Sequence, residues 1–165
     1  MIYIMHYQEK LILNNMKLDK KAILEYQKNR DPYLFIDKAT SVIPGESADG
    51  EKFLSQDEWF FKVHWPEDPN MPGMLQVEAL VQLCALSVLT LPNNKGKIVY
   101  LLSATDLKFK KKITPNKNLV MKTKLLTWKR GIGTCKGTTY VDNEVACEAS
   151  FNILLKDDLI KYKIR

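Results

Sequence analysis

Apolar residues crowd one stretch of the chain. From Met71 to Leu91, Leu75, Val77, Leu80, Val81, Leu83, Leu86 and Leu89, with Cys84, Ala85 and Val88, cover nearly every face of a helix. A helix that is apolar all round is a buried one. Pro72 suits its first position, where the missing N–H is harmless and φ is preset. The run Pro92-Asn93-Asn94-Lys95-Gly96 ends it. Upstream, the segment from Lys17 to Asn29 reads as a shorter helix with Asp19 as its cap and Ile23, Leu24 and Tyr26 as its contacts. Pro32 disfavours helix at Asp31. Tyr33-Leu34-Phe35-Ile36 reads as a short strand, Pro44-Gly45 as a turn, and Glu58 to Trp65 as an aromatic strand running into a loop.

Beyond the long helix the pattern turns to strands. Ile98 to Leu102, Leu107 to Ile113, Leu119 to Trp128, Gly133 to Val141 and Glu144 to Leu155 are β-prone runs. Turn signals at Pro115-Asn116, Arg130-Gly131 and Asp142-Asn143 separate the later ones. Strands clustered after one buried helix predict an α+β fold with an antiparallel sheet wrapped on that helix. The 165 residues suit one domain, since domains commonly run to about 100–150 residues. Residues 1–15 read as a weakly patterned extension and residues 16–165 as a single domain.

Composition narrows the class. With 45% apolar and 27% charged residues, the chain is neither a disordered nor a membrane composition. The longest apolar stretch is broken by Gln76, Glu78 and Gln82, short of the roughly 18 uninterrupted residues that a spanning helix needs. The leading MIYIM lacks a basic region before it and makes a poor signal peptide. Three cysteines, Cys84, Cys135 and Cys147, lack C-x-x-C spacing. They argue against a disulfide framework or a metal site and fit buried thiols in a reducing cytoplasm. The net charge of +6 draws acidic partners or serves solubility alone.

The chemistry concentrates between Phe60 and Gln82, FFKVHWPEDPNMPGMLQVEALVQ. It holds His64, one of only two histidines, then a proline-rich turn, then the apolar helix carrying one carboxylate, Glu78. A His and a Glu so spaced can form a general acid/base pair if the fold brings them together. Met71-Pro72-Gly73 opens the helix and offers free backbone N–H groups. A carboxylate among apolar neighbours needs a partner or a proton.

These residues carry a resemblance. His64-Trp65-Pro66, Pro69, Met71-Pro72-Gly73, Leu75, Glu78-Ala79-Leu80 and Gln82 resemble, without gaps, the signature of the FabZ-type 3-hydroxyacyl-acyl carrier protein dehydratases. Residues 18–37 resemble that family's amino-terminal helix and first strand, and residues 105–150 its carboxyl-terminal strands. The resemblance spans roughly residues 17–155. It implies a hotdog fold, a long buried central helix wrapped by a curved antiparallel sheet. It implies dehydration of (3R)-3-hydroxyacyl-acyl carrier protein to the trans-2-enoyl product in fatty acyl biosynthesis, with no cofactor and no metal. His64 is then the base. Glu78 is the acid, or orients the leaving water, and the Gly73 N–H polarises the thioester carbonyl. In the relatives the His and the Glu of one site come from different subunits. The resemblance thus implies a homodimer at least, and leaves a trimer of dimers open. The partner is an acidic acyl carrier protein. If Leu107 to Ile113 is one strand, Lys108, Lys110 and Lys112 share a face that could steer this carrier; a lysine-blunted edge strand is the structural alternative. Neither nucleic acid nor membrane is expected as a partner.

Departures from the family pattern keep two other readings open. Val63 stands where relatives usually carry Gly, and a β-branched residue there restricts the backbone before His64. A non-catalytic acyl-thioester binder with a disabled site is one alternative. A hotdog thioesterase that uses the same carboxylate to activate water is the other. Trp65 replaces the usual Phe, and Glu67-Asp68-Pro69-Asn70 is more acidic than the usual turn. Related bifunctional isomerases carry Asp where this chain has Glu78, which favours a plain dehydratase.

Overall fold

A computed structural model describes residues 15–156; all but the last residue of the extension lie outside them. Strand β1 (Met16–Leu18) leads into helix α1 (Lys20–Tyr26), whose cap is Asp19, accepting the Ala22 N–H at 2.8 Å. β2 (Lys38–Ile43) and β3 (Ser47–Leu54) form a hairpin across Pro44-Gly45, where Gly45 takes φ +77°. A left-handed turn residue of this kind favours glycine. The one-turn helix α2 (Trp59–Val63) follows, then α3 (Gly73–Leu89). The remaining strands are β4 (Val99–Phe109), β5 (Lys117–Lys129), β6 (Ile132–Val141) and β7 (Glu144–Leu155).

The seven strands form one antiparallel sheet in the order β1-β2-β3-β5-β6-β7-β4. Helix α3 lies across its inner face and touches six of the strands. This is the α+β hotdog arrangement, and α3 is buried on all sides over most of its length, as its uniform apolarity predicts. The strands alternate accordingly. On β5, Leu119, Met121, Thr123 and Leu125 face the helix, whereas Lys122 and Lys124 face water. On β6 the inward positions include Cys135, Gly137 and Thr139. Gly137 allows a close approach: a Cβ there would lie 2.9 Å from Leu80 Cδ2. All three cysteines are free and buried. Cys84 of α3 and Cys135 of β6 meet in the core. That contact and burial push the Cys135 thiol far up, and burial pushes Cys147 up to about 11.

Several expectations change in the structure. Pro72 is the residue before α3, not its first member, with an extended ψ of 135°. Glu58 to Trp65 is no strand. Phe60 and Phe61 are adjacent and both buried, their rings 4.6 Å apart. A strand would point adjacent side chains to opposite faces, whereas a helical turn sinks both. Tyr33 to Ile36 is buried at its last three residues but joins no sheet. Its backbone bonds to a side chain instead: the Phe35 N–H donates to Gln82 Oε1 at 2.9 Å, and Gln82 Nε2 donates to Tyr33 O at 2.9 Å. The two runs around residue 105 are one strand, β4, because Asp106 adopts φ +53° and the irregularity is absorbed as a register shift between Thr105 and Lys108. That strand stops at Phe109, so Lys108, Lys110 and Lys112 do not share one strand face.

Candidate active site

His64 caps the C-terminal end of α2. Its N–H donates to Phe60 O at 2.8 Å, closing the helical turn. Its Nδ1 lies 3.1 Å from Asn70 O. A carbonyl oxygen only accepts, so in the neutral imidazole Nδ1 carries the proton and Nε2 the lone pair. The imidazole also stacks on Trp65, with ring centroids 4.4 Å apart and planes inclined by 22°. Trp65 holds φ +53°, an uncommon conformation for a bulky residue. Val63 is the last residue of α2, helical and 70% exposed. A valine adopts ordinary helical backbone there.

The turn between His64 and α3 is tied down from both sides. Met71 N–H donates to Ile113 O at 2.9 Å, and Asp68 pairs with Lys112. α3 then opens at Gly73 with no side-chain cap. The N–H groups of Gly73 and Met74 precede the helix ladder and carry the positive end of its dipole. The absent side chain at Gly73 also leaves room for Phe109, whose Cε1 would lie 2.7 Å from a Cβ placed there. His64, Gly73, Met74 and Phe109 line one cleft, rimmed by Lys110, Lys111 and Lys112.

Glu78 lies about one and a half turns into α3 and is half-buried. Its Oε1 accepts from Gln82 Nε2 at 2.8 Å. Gln82 is itself fixed by the Tyr33 and Phe35 backbone, so it sets the direction of the Glu78 carboxyl. The phenol of Tyr33 is held above its ordinary range, first by burial and then by the charge on Glu78. Glu78 lines a second cleft, with Val81, Ala85 and Leu89 along the helix and Val99 and Leu101 of β4 opposite. Within one chain, therefore, His64 and Glu78 face different clefts, and Gly73 shares the cleft of His64.

The three singled-out lysines are dispersed. Lys108 lies in β4 opposite Glu148. Lys110 pairs with Glu148 at 2.6 Å, holding that carboxyl below its usual range, and Lys112 pairs with Asp68. Among the described residues no group of His, Cys, Asp and Glu is arranged to hold a metal. Sequence reasoning placed Gln82 in the family signature without giving it a role, and did not single out two further features. Gln82 was legible as the position four residues after Glu78 on the same helix face. The stack of Trp65 on His64 and the ion pairs of Lys52 with Glu58 and Asp37 ahead of α2 had no sequence signal.

Comparison with known proteins gives a consistent picture. The FabA-like domain family matches residues 28–150. A 3-hydroxyacyl-[acyl-carrier-protein] dehydratase FabZ from Oceanobacillus iheyensis is 38% identical over 139 residues, covering 84% of this chain and 99% of the relative. The enzyme of the same name from Bacillus subtilis is 36% identical over 138 residues, covering 84% and 98%. Among solved structures, the dehydratase heterocomplex ApeI:P from Xenorhabdus doucetiae superposes with a TM-score of 0.72 at 15% identity, covering 87% of this chain and 97% of that one. A hypothetical thioesterase with coenzyme A from Streptococcus pneumoniae reaches 0.54 at 13% identity, covering 68% and 80%. These structural likenesses bear on the fold alone, whereas the near full-length relatives decide the family: the chain belongs to the FabA-like family, among its FabZ-type 3-hydroxyacyl-acyl carrier protein dehydratases.

Proposed function

We propose that this protein removes water from (3R)-3-hydroxyacyl-acyl carrier protein to give the trans-2-enoyl thioester, in fatty acyl biosynthesis. The observation that carries the reading is one cleft holding both His64, with Nε2 free, and the uncapped start of α3. In this reaction Nε2 takes a proton from the carbon next to the carbonyl. The electron pair moves toward the thioester oxygen, which the Gly73 N–H and the helix dipole stabilise. The pair returns to form the double bond as the C3–O bond breaks. Glu78 gives its proton to the departing hydroxyl, which leaves as water. Proton transfer from the imidazolium back to the carboxylate, through water, resets the site.

The two clefts meet only if two chains do. β4 pairs with β7 along one edge and ends the sheet on the other. It exposes Tyr100, Leu101, Leu102 and Phe109. An open edge strand is a template for a second copy. Val99 and Leu101, at its start, line the Glu78 cleft; Phe109, at its end, lines the His64 cleft. Two-fold antiparallel pairing of β4 with its copy sets the start of one strand against the end of the other. The Glu78 cleft of each chain then abuts the partner's His64 cleft. A homodimer with two shared sites is the assembly this arrangement favours.

The acidic carrier would approach across the lysine rim of the His64 cleft, with Lys108 adjacent to it. Lys110 and Lys112 are already engaged with carboxylates, so the rim acts through its summed field rather than through any one free lysine. Among the described residues no helix is long and apolar enough to cross a membrane. A cytoplasmic enzyme acting on a soluble carrier is the corresponding location.

The test is product analysis with the pure protein and 3-hydroxyacyl carriers of several chain lengths. A rise in enoyl absorbance with the thioester intact supports the dehydratase. Release of free thiol identifies a thioesterase, and binding without turnover identifies an acyl-thioester binder.

A further inference from the structure

Lys52 is the single charged side chain among the described residues that is buried, at 6% exposure. It stands on the inward face of β3, where Ala48, Gly50 and Leu54 also point to the core. The catalytic scheme above makes no use of it. Its Nζ reaches Glu58 Oε1 at 2.9 Å and Asp37 Oδ1 at 3.8 Å. Asp37 is held in turn, its other oxygen accepting the Phe53 N–H at 2.8 Å. Glu58 is the residue immediately before α2, and His64 the residue immediately after it. A helix of five residues is far below the roughly 12–15 at which a helix begins to stand alone. What fixes α2, and with it the imidazole, is therefore what holds its ends. The Asn70 carbonyl holds the rear through Nδ1, Phe60 and Phe61 hold the middle, and Lys52 holds the front through Glu58.

We propose that Lys52, acting through Glu58, is a positioning residue for His64. The inference rests on the reading of His64 as the base. An apolar pair of similar volume often replaces a buried ion pair with no loss of stability, and sometimes with a gain. Stability alone thus gives no reason for a lysine on this face. Direction does: an ammonium between two carboxylates fixes Glu58 at one distance from β3, where an apolar contact would let the helix slide.

Two variants test this. Lys52→Met leaves Glu58 without its partner, so both melting temperature and kcat fall. Lys52→Met/Glu58→Met removes both charges and recovers the melting temperature. It leaves kcat down about tenfold or more, a part of the roughly hundredfold that a 1 Å misplacement can cause. KM stays unchanged in both. The chain has two histidines, so the imidazole Cε1–H resonance of His64 is readily assigned by NMR. It is displaced in both variants below their melting temperatures. Should the double variant remain unstable, that displacement decides in its place. A kcat that returns to the wild-type value with the melting temperature, or a His64 resonance that stays put, overturns the proposal. Activity retained in His64→Ala would instead sink the base assignment, and the resonance would still report whether Lys52 sets the imidazole's place.

Discussion

Gln82→Leu probes the joint between fold and chemistry. Gln82 is 3% exposed and makes three side-chain hydrogen bonds: from the Phe35 N–H, to Tyr33 O and to Glu78 Oε1. Leucine fills similar space and removes all three. Phe35 is fully buried, so its N–H has no access to water, and leaving such a group unpaired costs about 1–3 kcal/mol. Tyr33 is 44% exposed, and its carbonyl recovers part of its loss from solvent. The expected destabilisation is about 2–3 kcal/mol, or roughly 4–12 °C in melting temperature for a chain of this size. Glu78 meanwhile loses the donor that aims it, so kcat falls about tenfold while KM changes little. Urea unfolding and steady-state dehydration on the same preparation measure both. A variant with wild-type stability would refute the claim that Gln82 substitutes for a strand partner. A destabilised variant with undiminished kcat would refute its role in directing Glu78.

Three further outcomes are expected. Gly137→Ala forces a methyl group to within 2.9 Å of Leu80 and lowers stability by about 1–3 kcal/mol by overpacking, read in a thermal melt. With Cys147 at about 11, Cys135 pushed up and all three thiols buried, the native protein consumes almost no thiol reagent at pH 8, whereas the unfolded chain titrates three; rapid native labelling would contradict this burial. Removal of residues 1–15 leaves melting temperature, subunit number and dehydration rate unchanged, because chain termini are often loosely held and, among the described residues, both clefts are lined by residues beyond β1; a clear fall in any one would assign the extension a structural part.

The parts of this fold that follow a period were legible. The all-round apolarity of α3, the alternation along β5 to β7 and the Asp19 cap each follow a simple rule, and the structure has them at nearly the expected residues. The segments that position the site follow no period. The Phe35 N–H donates to a glutamine on α3, 47 residues away in sequence. α2 is short and aromatic, and looks strand-like until the neighbours of Phe60 and Phe61 are known. β2 and β3 were read only as a turn at Pro44-Gly45, because lysines, glutamates and glycines interrupt their alternation. Lys52 sits at an inward position of β3, where a lysine disguises the strand. In the site, His64, Gly73 and Glu78 stood out by residue type and spacing. Their distribution over two clefts did not, since it depends on where β4 begins and ends relative to α3.

The central claim is that His64 of one chain works with Glu78 of another. His64→Ala and Glu78→Gln, assayed apart, should each lose at least about a hundredfold in dehydration rate. Mixed in equal amounts and allowed to exchange subunits, they should regain about a quarter of the wild-type rate, since half the dimers are mixed and each carries one intact pair. Wild-type turnover by either folded variant alone, or no recovery after exchange is verified by mass, would contradict the claim.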